Sequence, residues 1–202
     1  MPLDAEEIPD WRARRREVIL NAAAELFAGR DYASVQVEEV AKRAGVGKAT
    51  LYRYFPSKEE LYLESLERAL GGLEQKLTAE IAPQPIPASV RLTAMVSALV
   101  GTLGEQLLTL KRLGGDQSAL ADRTRRIIGR RSERTATALQ RVMAEGMASG
   151  EFRKIDLEIV PILVIGMVSG GIMQAEERPR EALERSVIDF LMSGLTNLPP
   201  FI

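Results

Sequence analysis

Residues 48 to 54 carry Lys48, Thr50, Tyr52, Arg53 and Tyr54 around one aliphatic side chain, Leu51. Cations, hydroxyls and aromatic edges at that density are the groups that reach phosphate oxygens and the base edges of a DNA major groove. The charge distribution supports the same reading. The 202 residues sum to a net charge of −1, yet residues 10 to 58 hold ten bases against six acids, while residues 1 to 9 hold three acids and no base. A basic segment on an otherwise neutral chain is what phosphate neutralisation needs, although a solvated helix surface gives a similar count.

Other chemistry is narrowed by what the chain lacks. It has no Cys and no His, which removes imidazole and thiolate metal ligands, disulfides and every Ser-His or Cys-His pair. No metal and no other cofactor is expected. Glu145 and Glu151 stand close enough in sequence for paired acid-base work, but Gly150 between them reads as a helix C-cap and the acids as ordinary helix-end residues. A second basic run, Arg123, Arg125, Arg126, Arg130, Arg131 and Arg134, has Asp122 and Glu133 at helical spacing from Arg126 and Arg130, so it reads as a solvated, internally paired face. The uncharged run Ile159 to Gln174 is shorter than the roughly 20 residues that span a bilayer, and the N-terminus has no apolar leader; a cytoplasmic protein without membrane contact is expected.

The elements that position these groups are helical. With 46% apolar and 27% charged residues, few aromatics and no alternating apolar-polar stretch, the composition predicts an all-α protein of about nine helices. Val18, Ile19, Ala22, Ala23, Leu26 and Phe27 form one stripe of a first helix, with Asp10 as its start and Gly29 as its stop. Val37, Val40, Ala41 and Ala44 make a second, ended by Gly45, and residues 49 to 55 a third, closed by Pro56. A helix, a glycine turn and a short second helix form a helix-turn-helix, with Val40, Ala41, Ala44, Val46 and Leu51 facing the first helix. Ser57 and Glu60 make a capping box that opens a long fourth helix. Pro83, Pro85 and Pro87 interrupt the chain. Further helices are expected at 88 to 111, 116 to 129, 131 to 149, 156 to 176 and 180 to 194. Two domains follow, residues 10 to 57 and residues 58 to 202.

The run AGVGKATLYRYFPSKEEL, preceded by an Ala-rich helix ending in Leu26 and Phe27, resembles the DNA-binding domain of TetR-family transcriptional regulators over about residues 14 to 62. The resemblance implies a homodimer that represses transcription from a palindromic operator on double-stranded DNA and releases it when a small molecule enters the C-terminal domain. By position it implies DNA contacts from Lys48, Ala49, Thr50, Tyr52 and Tyr54, and a phosphate contact from Lys58. The family has Ser or Thr ahead of the second and third helices, where the side chain caps the helix and touches phosphate. Here Gln36 and Gly47 hold those places, so contacts there are weakened and at most about 1 kcal/mol of capping is lost. Ser34 is a substitute cap if the second helix starts earlier. Arg12, Arg14, Arg15 and Arg16 oppose the positive end of the first helix dipole, an arrangement that a phosphate backbone or minor groove explains; a solvated segment explains it as well.

Beyond residue 88 the signals are those of packing. Met95, Leu99, Leu103, Met143, Met147 and Met167 lie on different helices and are compatible with a pocket for an apolar or aromatic effector, or with a filled core. The segment from Ile159 to Met173 is apolar nearly all round and must be covered on every side. Ile162, Gly166 and Gly170, with Val187 and Leu191 of the last helix, are therefore expected at a four-helix dimer interface. Two rival readings stay open: an architectural or protein-binding helical dimer without sequence preference, and a small helical enzyme using carboxylates or Tyr. The second leaves the Tyr and Lys cluster unexplained.

Overall fold

The computed structural model describes residues 10–28, 30–82, 84–112, 119–174 and 179–196. Among them are eight α-helices: α1 Asp10–Ala28, α2 Val37–Arg43, α3 Lys48–Tyr54, α4 Lys58–Ile81, α5 Ala88–Arg112, α6 Ala119–Ser149, α7 Val160–Gln174 and α8 Arg180–Leu195, with a short 3₁₀ turn at Tyr32–Ser34. No strand occurs among the described residues, so the all-α expectation holds. Gly29 and Pro83 lie outside the described residues.

The helices form two compact units, one ending at Arg68 and the other starting at Ala69. That division falls inside α4, later than the boundary at residue 57 read from the capping box. The start of α4 is bound into the N-terminal unit by its own side chains. Leu61, Tyr62 and Leu66 are buried, and the Tyr62 ring meets Phe27 and Tyr32 edge-on at 5.2 and 5.3 Å. Glu64 pairs with Arg16, and Arg68 with Glu17. Ser57 does cap α4, its Oγ accepting the Glu60 amide at 3.1 Å.

In the N-terminal unit α1 buries Ile19, Leu20, Ala22, Ala23 and Phe27. Val18, expected on that stripe, is 46% exposed, because the packed face takes in Leu20 instead. The turn after α2 is a Schellman cap. Gly45 sits at φ +64°, the Val46 amide donates to the Ala41 carbonyl at 2.9 Å, and the Gly45 amide donates to Lys42 at 3.1 Å. Only glycine enters that left-handed position without strain, and this fixes the angle at which α3 leaves. Ser34 does not cap α2: its hydroxyl donates to the Asp31 carbonyl within the 3₁₀ turn. Neither Gln36 nor Gly47 caps its helix through a side chain.

The C-terminal unit is built around α5, which packs against α6, α7 and α8. Leu92, Met95, Val96, Leu99 and Val100 have no exposure and meet a core that includes Leu139, Val142, Met143, Val164 and Val168. Two helices expected at 116 to 129 and 131 to 149 are one. Thr124, Ile127, Thr135, Ala138, Leu139 and Val142 are buried along a single continuous face that carries straight through Gly129. A glycine inside a helix costs about 1 kcal/mol, less than that face gains by staying intact. The helix expected from residue 156 begins at Val160. The Asp156 carboxylate first accepts the amides of Glu158 and Ile159 at 2.8 and 3.1 Å, and Pro161 then fits the first turn, where its missing N–H is not needed.

The two carboxylates weighed as an acid-base pair have separate structural partners. Glu145 pairs with the buried Arg91 at 2.5 Å, and Arg91 Nε also donates to the Glu80 carbonyl at 2.6 Å. Glu151 caps α5. It accepts the amides of Ala88 and Ser89 at 2.9 and 3.0 Å and the Ser89 hydroxyl at 2.9 Å. Those donors favour the carboxylate and hold its pKa below the usual range. A group whose folded pKa is depressed stabilises above its unfolded pKa, about 4.3 for Glu, and that contribution disappears as pH falls through the folded value. Glu151→Gln is therefore expected to unfold at a lower temperature than the parent at pH 7, by about 0.5–1 kcal/mol, at the low end of capping effects because the site is largely exposed. Thermal melts across a series from pH 7 downward check this: the gap narrows as pH falls through the lowered folded pKa of the parent carboxyl.

Candidate nucleic-acid interface

The side chains at 48 to 54 are sorted by the helix itself. Leu51 has no exposure and anchors α3 on the unit's core, while Lys48, Ala49, Tyr52 and Arg53 are exposed and Thr50 and Tyr54 are half-buried. Tyr52 keeps 39% of its surface. An open groove runs along one side of α3, lined by Thr50, Arg53 and Tyr54, by Gly45, Val46 and Gly47 of the turn, and by Trp11 and Arg15 of α1. Gly47 thus enters the site through its backbone, and Gln36 is exposed just ahead of α2.

The four arginines at the start of α1 do not act alike. Arg16 turns to its own chain, pairing with Glu64 and lying 5.1 Å from the Phe55 ring centroid. Arg12, Arg14 and Arg15 are exposed, and Arg12 lies 5.2 Å from the ring of Trp11. Arg15 belongs to the arginine group weighed from the sequence, whereas Trp11 was not singled out there. Trp11 is the chain's single tryptophan, in a polar context where core packing gives it no reason to be, and that is the signal it offers. Their adjacency to α3 is a tertiary fact that spacing does not carry.

Lys58, expected on a phosphate, is claimed in part by its own chain. Its ammonium lies 4.4 Å from the Tyr32 ring centroid and donates to the Ala33 carbonyl at 3.3 Å. Desolvation, with Arg30 nearby, pulls its pKa down. A phosphate contact from Lys58 uses whichever donors those partners leave.

Of the expected effector-pocket residues, Met95, Leu99 and Met143 have no exposed surface and fill the core, and Met147 and Met167 are half-buried. Leu103 borders a space of about 10 Å³, shared with Leu70, Leu73, Ile128 and Ile165, enough for about one water molecule. Among the described residues, these side chains are packed against their neighbours.

The expected interface residues split between two faces. Ile162 is 61% exposed, and Gly166 and Gly170 are exposed beside it, with Ile159 and Leu163 adding 54% and 56% exposed side chains. Val187 and Leu191, expected there too, are instead buried within the chain. They share one face of α8 with Leu195, four residues on, and that face is turned into the core. The outward face of α8 carries Phe190, 70% exposed. In the basic run on α6, Asp122 binds Arg125 at 2.5 Å and Glu74 binds Arg131 at 2.6 Å.

A buried anchor and an outward polar helix, set by a glycine turn after a preceding helix, define a helix-turn-helix DNA-binding unit. The model of bacterial regulatory proteins of the tetR family matches residues 19–65, and the model of the tetracyclin repressor-like C-terminal domain matches residues 86–172. The chain belongs to the tetR family of transcriptional regulators. It is similar to the fatty acid metabolism regulator protein of Bacillus subtilis strain 168, 27% identical over 188 residues that cover 89% of this chain and 94% of the relative. It is also similar to the transcriptional repressor DhaR of Mycobacterium sp. strain GP1, 25% identical over 84% of this chain and 87% of that one. In fold it matches the transcriptional regulator FadR from Bacillus subtilis in complex with stearoyl-CoA, with a TM-score of 0.59 and 24% identity over 88% of this chain and 98% of that one. Among the described residues no helix is long and apolar enough to cross a membrane.

Proposed function

We propose that this regulator acts in the cytoplasm as a homodimer that represses transcription from a palindromic operator and lets go of DNA when an apolar effector enters its C-terminal unit. The observation that carries the reading is α3, held by Leu51 and turned outward with Lys48, Ala49, Thr50, Tyr52 and Tyr54. Arg14, Gln36, Gly47 and Lys58 supply contacts around it. The exposed apolar residues Ile159, Ile162, Leu163, Gly166 and Gly170 of α7 and the segment before it, with Phe190 on the outward side of α8, are where a second copy docks, the small residues letting two helices approach closely.

The effector is taken to be a fatty-acyl compound, since a relative that aligns along most of the chain is named for fatty acid metabolism. Met95, Leu99, Leu103, Met143, Met147 and Met167 would line the space it opens, methionine being the side chain that repacks most readily. A hundredfold preference of the effector for the DNA-free conformation supplies about 2.7 kcal/mol, which takes an operator from about 99% occupied to about half occupied.

Selection of bound fragments from the source genome, followed by titration of the complex with long-chain acyl-CoA, tests the proposal. The expected outcome is one palindromic motif bound at least about 10³-fold more tightly than random duplex, and released by the thioester. Retention of all fragments alike would favour the architectural reading instead.

A further inference from the structure

The first turns of α2 and α3 meet at an ion pair between the Glu38 carboxylate and the Lys48 ammonium, both more than half exposed. Lys48 Nζ also lies 6.0 Å from the centroid of the Tyr52 ring. The pairing pulls the Glu38 pKa down and pushes that of Lys48 up. Such an exposed pair adds little to stability. Glu39 already complements the dipole at the start of α2, so helix stability gives Glu38 little to do. Its negative charge nonetheless sits on the surface that exposes Arg14, Arg15, Lys48 and Arg53 and that must approach a polyanion.

We infer that Glu38 is a specificity-determining residue that tethers Lys48, directing the lysine to base edges and withholding it from the nearest phosphate. This rests on the DNA-binding reading above. An ammonium on a flexible four-carbon stem satisfies any phosphate it can reach. With one N–H donated to Glu38 and the charge beside Tyr52, its other donors stay at the N-terminal end of α3, the end of a recognition helix that meets base edges. A neutral Glu–Lys pair also releases no counterion, so the pair adds little to sequence-independent binding.

The test measures affinity for a random-sequence duplex pool and for the motif selected from that pool, across a salt series, with the full-length protein, Glu38→Gln, Lys48→Met and the double variant. Glu38→Gln is expected to bind the random pool roughly five- to tenfold more tightly near 0.1 M salt, with the log–log salt slope steeper by about one, and the selected motif hardly more tightly. Selectivity falls by the same factor. The gain over the unmodified protein must vanish in the double variant, which has the same net charge, and Lys48→Met alone must weaken random-duplex binding, because it leaves the Glu38 carboxylate unpaired against the polyanion. A gain that persists without Lys48, or equal tightening on both DNAs at an unchanged slope, overturns the inference. If the unmodified protein selects no motif, the DNA-binding reading falls and takes the inference with it. If it selects one and Glu38→Gln selects it with the same ratio, the inference alone falls.

Discussion

Ile162→Glu yields a folded protein of half the native mass whose operator affinity is lower by a factor of about 10² to 10⁴. Ile162 is 61% exposed, so the carboxylate meets water in the single chain and does not disturb its core. A two-fold interface is built from the same patch twice, so one substitution places two charges into one apolar seam next to Leu163 and Gly166. The DNA then sees one recognition helix at a time. Loss of the second half-site removes the effective-concentration gain of a linked pair, which is the source of the 10² to 10⁴. Sedimentation gives the mass, and a binding isotherm on the selected palindrome gives the affinity. An unchanged mass together with unchanged affinity would place the dimer contact elsewhere.

Tyr52→Ala is expected to lower affinity for the selected motif by about 1–3 kcal/mol, tenfold to more than a hundredfold, while leaving the melting temperature nearly unchanged. The ring is 39% exposed and its visible neighbour is Lys48, so truncation leaves no cavity in the core behind Leu51. What disappears is a hydroxyl and an aromatic edge offered to the groove. The loss should therefore be larger on the motif than on random duplex, and reselection should return an altered sequence. Lys58→Ala makes the useful contrast, because its loss is expected on every duplex alike and to be smaller, the lysine being partly engaged with Tyr32 and Ala33. Competition titrations with both variants measure the two patterns. Equal losses on motif and random DNA for Tyr52→Ala would remove it from base readout.

The outward set of α3 was legible because Leu51 is the single aliphatic residue in its stretch, so the helix has one way to face. Gly45 and Gly150 were legible as caps for a similar reason, and both adopt positive φ. The sequence was less informative where two faces of a helix are both apolar. In α8, Phe190 and Leu191 are neighbours of equal hydrophobicity, and only the packing decides that Leu191 goes inward and Phe190 out. The break expected between residues 129 and 131 does not occur, because the buried face that carries α6 through Gly129 is assembled from residues on both sides of it. The roles of Arg16 and Lys58 depend on Glu64 and Tyr32, which are distant in sequence, and a cation's partner cannot be chosen from spacing alone. The packed interior around Met95, Leu99 and Met143 belongs to the same class: composition allows either a pocket or a core, and shape chooses.

Methylation protection of guanine N7 on the selected duplex tests most directly whether α3 enters DNA, since N7 lies on the major-groove edge. The account predicts two protected patches on one face, separated by about 10–10.5 base pairs or a multiple of that, and their loss with Tyr52→Ala. Binding that leaves every guanine N7 unprotected, or a single patch that survives removal of Tyr52, would contradict it.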